Sequence, residues 1–154
     1  MSNIKKAFEH GKAFIAFVTC GDPSLETTEE LVLAMEHAGA DLIELGIPFS
    51  DPTDKIFDMV ARLRQKTQIP MVFMTYANVV FSYGTERFIK RAADLGMDGL
   101  ILPDVPFEEK EEFDTVCQKY GLDLVSLIAP TSHDRIRMIA KEANGFVYCV
   151  SSLG

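Results

Sequence analysis

The chain has 154 residues, the size of one ordinary domain, and 47% of them are hydrophobic, enough for a sizeable buried core. Fifteen basic against 23 acidic residues leave a net charge of -8, which disfavours nucleic acid and anionic membrane as partners. No apolar run is long enough to span a bilayer, Lys5, Lys6, His10 and Lys12 break up any signal-peptide pattern, and Cys20, Cys117 and Cys149 show no CxxC spacing, so the expectation is a reduced, cytoplasmic protein with neither a disulfide framework nor a zinc site.

In chain order, Ile4 to His10 predicts a short amphipathic helix, and Ala13 to Thr19 a strand covered on both faces, ended by Cys20-Gly21-Asp22-Pro23. Ser24 or Thr27 caps the next helix, with Leu31, Val32, Met35 and Ala38 as its buried stripe and Gly39 as its stop. A strand from Asp41 follows, closed by the turn residues Gly46, Pro48 and Ser50-Asp51-Pro52. Helical spacing resumes from Thr53, and Met71 to Thr75 is the third strand. Gly84 to Leu95 reads as a helix with Phe88, Ile89, Ala92 and Leu95 on one face, Gly99 to Leu102 as a short strand, and Pro106 as the start of an acidic-first helix to about Tyr120. Asp123 to Ile128 is a fifth strand, Ser132 to Glu142 a helix, and Phe146 to Val150 a sixth strand.

Strict alternation with two-sided apolar strands argues a parallel α/β sheet with right-handed crossovers, closed either as an open doubly wound sheet or as part of a (β/α)8 barrel. Neither GxGxxG nor GxxxxGK[ST] follows the first strand, which lowers the nucleotide-binding reading. Polar turn clusters gather after the strands, on the edge where either architecture binds ligands.

Glu44 is the candidate for chemistry: an ionised carboxylate in a dry strand is paired, at the strand's end, or used. A structural partner from a neighbouring strand is the competing role. Asp41 reads as a loop or cap residue, Asp104 as a cap for the helix that Pro106 begins or as a polarising group, and Asp54 as an N-cap. His10, His37 and His133 fall on helices or at a helix start, so no Ser-His-Asp constellation assembles; Tyr76 and Tyr148 end strands and could reach a pocket.

Four runs then carry a resemblance: Phe-Val-Thr-Cys-Gly-Asp-Pro (17 to 23), Ala-Gly-Ala-Asp-Leu-Ile-Glu-Leu-Gly-Ile-Pro-Phe-Ser-Asp-Pro (38 to 52), Met-Thr-Tyr-Ala-Asn (74 to 78) and Asp-Gly-Leu-Ile-Leu-Pro-Asp-Val-Pro (98 to 106). The chain resembles the alpha subunits of tryptophan synthase over nearly its whole length, to Tyr148 and Ser151-Ser152-Leu153-Gly154. The resemblance implies a (β/α)8 TIM barrel that cleaves indole-3-glycerol phosphate to indole and glyceraldehyde 3-phosphate, a retro-aldol step of tryptophan biosynthesis that needs no cofactor in this subunit. It makes Glu44 the acid and base, and Phe17, Met74, Ile101, Leu127 and Tyr148 the indole pocket. Asp51 and Asn78 match positions facing the beta subunit, which carries pyridoxal phosphate and consumes the indole in an alpha2-beta2 complex.

Two departures qualify the resemblance. Pro52 runs directly into Thr53-Asp54-Lys55, where the family has a loop with a second carboxylate, and the sequence holds six strands where a full barrel has eight. The expectation is a single partial barrel over residues 1–154, either part of a longer protein or a truncated molecule, with exposed strand edges and no turnover by itself. The alternative function is a non-catalytic fragment or partner-binding subunit that keeps the surface around Asp51 and Asn78.

Overall fold

The structure, a computed structural model, describes residues 1–151, so the Ser152-Leu153-Gly154 tail of the family-like run lies outside it. Strands and helices alternate as β1 (Ile15–Thr19), α1 (Leu25–His37), β2 (Leu42–Gly46), α2 (Thr53–Arg64), β3 (Met71–Met74), α3 (Ala77–Tyr83), α4 (Thr85–Asp94), β4 (Gly99–Ile101), α5 (Glu111–Tyr120), β5 (Asp123–Leu124), β6 (Ser126–Ile128), α6 (Ile136–Glu142) and β7 (Val147–Cys149). All pairings are parallel, in the order β1-β2-β3-β4-β5, with β6 and β7 as a further pair. A doubly wound sheet reverses its strand order at a switch point. This one never does, which is the winding of a (β/α)8 barrel with six of its eight βα units present.

Asp123 to Ile128 was expected as one strand and is divided at Val125. Its first half pairs with β4, Val125 N–H donates to the Leu100 carbonyl at 3.0 Å, and its second half pairs with β7. Staggered strands of a tilted barrel meet their two neighbours at different heights, so a short strand serves each neighbour with a different half.

Alternation along the strands separates two apolar layers. Ala16, Val18, Ile43, Leu45, Met71, Phe73, Leu100 and Leu124 face the helices and pack with Phe57, Phe88 and Ile89. Leu42, Val72, Ile101 and Val125 face inward, and Ile4 and Ala7 join them from the N-terminal segment. That segment is a 3-10 turn over Ile4–Phe8 in place of the expected helix to His10. Asp98 ties it down: its buried carboxylate accepts from Asn3 N–H at 2.7 Å and Met71 N–H at 3.0 Å and pairs with Arg64 at 3.3 Å.

Several local expectations change. In α1, Ser24 is the cap, accepting from Thr27 N–H at 3.1 Å, but Leu31 and Ala38 are exposed and the buried face is Thr28, Glu29 and Val32. Glu29 is tolerated there because Arg62 (3.0 Å) and Lys66 (3.4 Å) reach it from α2 and its vicinity. Helix α3 occupies what read as a polar turn after β3, and Gly84, at φ +98°, separates it from α4. Asp104 caps α3, not the helix begun by Pro106: both its oxygens accept from Ala77 N–H, at 3.0 and 3.2 Å. Pro106 leads into a 3-10 turn (Phe107–Glu109) before α5, and a 3-10 turn (Pro130–Arg135) precedes α6.

Candidate active site

Glu44 is the third residue of β2, every residue of which is buried. In register it lies between Phe17 on β1 and Val72 on β3. Its carboxylate has no hydrogen bond or ion pair among the described residues, although only 6% of the residue is exposed. The structural-partner role is therefore not what holds it. Burial raises its carboxyl above the ordinary glutamate value, which favours the neutral, proton-carrying form.

Period-2 alternation points Phe17, Glu44 and Val72 to the inner face in one row. Gly46, Met74 and Ile101 make the next row toward the strands' C-terminal ends, and Leu127 and Tyr148 are a register pair on β6 and β7. Met74, Leu127 and Tyr148 pack against the inner apolar cluster that contains Ile101. Glu44 and the apolar positions Phe17, Met74, Ile101, Leu127 and Tyr148 are thus brought to one inner face from six strands. The lumen is sealed below by Ile4 and Leu42, both fully buried, and open above, where Phe17 is 53% exposed.

Gly46 was read as a turn residue and is instead the last residue of β2. A Cβ there would lie 2.7 Å from the Phe17 ring, so the absence of a side chain is what lets that ring lie across the lumen wall. A glycine inside an unbroken apolar strand was the available signal, since it marks close approach.

Asp51 and Asn78 lie outside the lumen row, on the loop edge beyond β2 and β3. Asp51 covers Gly21, one oxygen standing 2.1 Å from where a Gly21 Cβ would be, and Asn78 is exposed in the first turn of α3. Tyr76 stacks on Phe49, ring centroids 5.5 Å apart. Asp54 is not the cap of α2, which is Pro52; its carboxylate accepts from the Tyr83 hydroxyl at 2.8 Å and pairs with Arg91. Burial, with Asp51 adding to it at Cys20, pushes the Cys20 and Cys117 thiols up to about 12, so neither is a nucleophile. All three histidines are exposed. Among the described residues no cluster of His, Cys, Asp and Glu could hold a metal ion, and no helix is long and apolar enough to cross a membrane.

Sequential parallel strands around an apolar lumen, with a single unpaired acid on the second strand, define a β/α-barrel protein whose site lies toward the C-terminal edge of its sheet. The profile of the family described as "Tryptophan synthase alpha chain" matches residues 2–55 and 53–154, and the chain belongs to that family. It is 52% identical over 163 residues to the tryptophan synthase alpha chain of Alkaliphilus metalliredigens, covering 93% of this chain and 61% of that one. To the alpha chain of Lacticaseibacillus casei it is 44% identical over 174 residues, covering all of this chain and 65% of the relative. In solved structures it is similar to the tryptophan synthase a2b2 complex of the hyperthermophile Pyrococcus furiosus, at 32% identity and a TM-score of 0.85, covering 92% of this chain and 65% of that one. The chain thus spans about two thirds or less of the length of these relatives.

Proposed function

We propose that this chain is the acid–base and indole-binding part of a tryptophan-synthase-alpha lyase, which cleaves indole-3-glycerol phosphate to indole and glyceraldehyde 3-phosphate in tryptophan biosynthesis. It acts as one domain over residues 1–154, and the complete reaction belongs to a barrel extended to the length of its relatives. The observation that carries this reading is Glu44: a buried, unpaired carboxyl on the same inner face as an apolar wall. The wall of Phe17, Met74, Ile101, Leu127 and Tyr148 receives the flat indole ring.

Burial favours the proton-carrying form of Glu44, and that form gives its proton to the ring carbon that bears the glycerol chain. The resulting carboxylate takes the proton of the hydroxyl on the adjoining carbon. The carbon–carbon bond breaks, its electron pair returns to the ring, and an aldehyde leaves. The proton balance closes on one residue, and the reaction in this subunit uses no cofactor. Asp51 and Asn78, on the loop edge, face a beta subunit that carries pyridoxal phosphate and consumes the indole, in an alpha2-beta2 arrangement like the one named for the P. furiosus protein. Two buried, unreactive thiols suit the reducing cytoplasm.

The test is a chimera in which the A. metalliredigens protein supplies every position this chain does not match. It is expected to release indole from indole-3-glycerol phosphate, and Glu44→Gln to lower that rate at least about 100-fold, the lower end of what a positioned acid–base contributes. A Glu44→Gln chimera with undiminished turnover would remove Glu44 from the mechanism.

A further inference from the structure

The chain has three asparagines, Asn3, Asn78 and Asn144, and only Asn144 is followed by glycine. The backbone nitrogen of the next residue can attack an asparagine amide carbon when that nitrogen is unengaged, uncrowded and free to turn. A β-branched neighbour crowds and stiffens the chain, and glycine does neither. The structure separates the three on this ground. Ile4, after Asn3, is fully buried, and its N–H donates to the Ser2 hydroxyl at 3.2 Å. Val79, after Asn78, lies within α3, and its N–H donates to the Tyr76 carbonyl at 3.1 Å. Gly145 follows Asn144, and among the described residues neither its N–H nor the Asn144 side chain takes part in a hydrogen bond. The same ring can close at an aspartate-glycine pair, but in Asp98-Gly99 the carboxylate is held by Asn3, Met71 and Arg64, and Gly99 is fixed in β4 between Val72 and Asp123.

Residues 143–146 join α6 to β7 and belong to neither. Ala143 leaves the helix extended, at φ -65° and ψ 136°, and both Asn144 and Gly145 are exposed. Gly145 stands at φ +73°, and a Cβ there would lie 3.0 Å from Ile4 Cδ1 and 3.3 Å from an Asp123 carboxylate oxygen. The fold therefore requires a glycine at 145 and leaves the asparagine before it uncovered.

We propose that Asn144-Gly145 is a self-modifying site, which deamidates in the folded chain and loosens β7. Gly145 N bonds to Asn144 Cγ, the Cγ–Nδ2 bond breaks, and the Gly145 proton leaves with the amide nitrogen as ammonia. Water then opens the succinimide ring at either carbonyl. Opening at Cγ gives aspartate. Opening at the Asn144 carbonyl carbon gives isoaspartate, whose chain runs through Cβ and Cγ and is longer by one backbone atom. Either product adds a carboxylate next to the glycine that lies against Asp123, a like charge. The isoaspartyl product also displaces the chain ahead of Phe146, which packs on the inner cluster and meets the Phe8 ring at 6.2 Å, and ahead of Tyr148, in register with Leu127. A strand of only three residues, Val147–Cys149, has little pairing with which to resist the insertion.

The 154-residue chain is aged, folded, in mildly alkaline buffer beside a peptide of residues 141–147. Anion exchange, peptide mapping and enzymatic carboxyl methylation, which marks isoaspartate, follow both. An exposed connection opens at almost no cost, so Asn144 is expected to convert within about threefold of the peptide's rate and at least about tenfold ahead of Asn3 and Asn78. Asn144→Gln, whose longer side chain closes a ring far more slowly, should yield no acidic species over the same interval. The Val150 N–H donates to the Ile128 carbonyl at 2.9 Å beyond the end of β7, and its hydrogen exchange reads the strand. In the isolated isoaspartyl fraction it should exchange at least about tenfold faster than in fresh chain, and faster than in Asn144→Asp, which carries the charge without the added backbone atom. Conversion more than about tenfold slower than in the peptide, or acidic species that keep Asn144, overturns the site. Val150 exchange in the isoaspartyl fraction equal to that of fresh chain or of Asn144→Asp overturns the loosening of β7.

Discussion

Replacing Asp98 with alanine removes one carboxylate that three parts of the chain share. The residue is 2% exposed and accepts from Asn3 N–H (2.7 Å) and Met71 N–H (3.0 Å) while facing Arg64 (3.3 Å). Arg64 keeps the carbonyls of Ile69 and Gly96, each at 2.7 Å, so its donors are not all stranded, but its charge loses the counter-charge. The Met71 N–H is left in a dry layer with no acceptor, at a cost of about 1–3 kcal/mol, and breaking a buried pair costs about 3–5 kcal/mol; these overlap, giving about 4 kcal/mol in all. At about 2–4 °C per kcal/mol for a chain of this size, the melting temperature falls by roughly 8–16 °C. Circular dichroism melts and urea unfolding of the two proteins measure this directly. Asp98→Asn, which keeps one acceptor oxygen, should lose about half as much. A loss below about 1 kcal/mol for Asp98→Ala would refute the view that this carboxylate pins the N-terminal turn, the end of α2 and the start of β3 together.

The remaining expectations concern the lumen and its surroundings. Because burial raises the Glu44 carboxyl above its ordinary 4.5, the folded chain binds that proton more tightly than the unfolded chain, and the ionised form costs stability once pH rises through the raised value. Glu44→Gln should therefore stabilise the chain at neutral pH, and the gain should fade as pH falls through the raised value toward 4.5; an equal gain on both sides of that window, by urea unfolding, rules out desolvation as its source. Phe57, fully buried, meets the rings of Phe73, Tyr83 and Phe88 at 5.7, 5.4 and 5.2 Å, and Phe57→Ala should cost about 3–5 kcal/mol in the same assay. A Cβ on Gly99 would stand 2.9 Å from the Asp123 carbonyl and 3.1 Å from Ile4 Cδ1, so Gly99→Ala should destabilise by about 1–3 kcal/mol; a neutral result would mean the N-terminal plug moves aside at no cost.

How much of this was legible beforehand depends on the range of the interaction concerned. The strand of Glu44 and the helix from Thr53 could be read because apolar runs, turn residues and helical spacing are local signals. Helix α3 could not, because its N-terminal acceptor is the Asp104 carboxylate, 27 residues away and on the next loop. The buried position of Glu29 escaped notice for the same reason: its partners Arg62 and Lys66 stand 33 and 37 residues further along.

By itself the sequence determined the alternation of strand and helix, the apolar setting of Glu44 and the family to which its motifs are similar, since each of these is written in neighbouring residues. Only the tertiary structure decided that the strands run in unbroken order around a lumen, that Glu44 faces inward with no partner, and that Phe17 lies across Gly46. Facing and pairing are set by strand register, and register depends on residues distant in the chain, so a single strand carries the two-residue period but not which of its faces is turned toward the site.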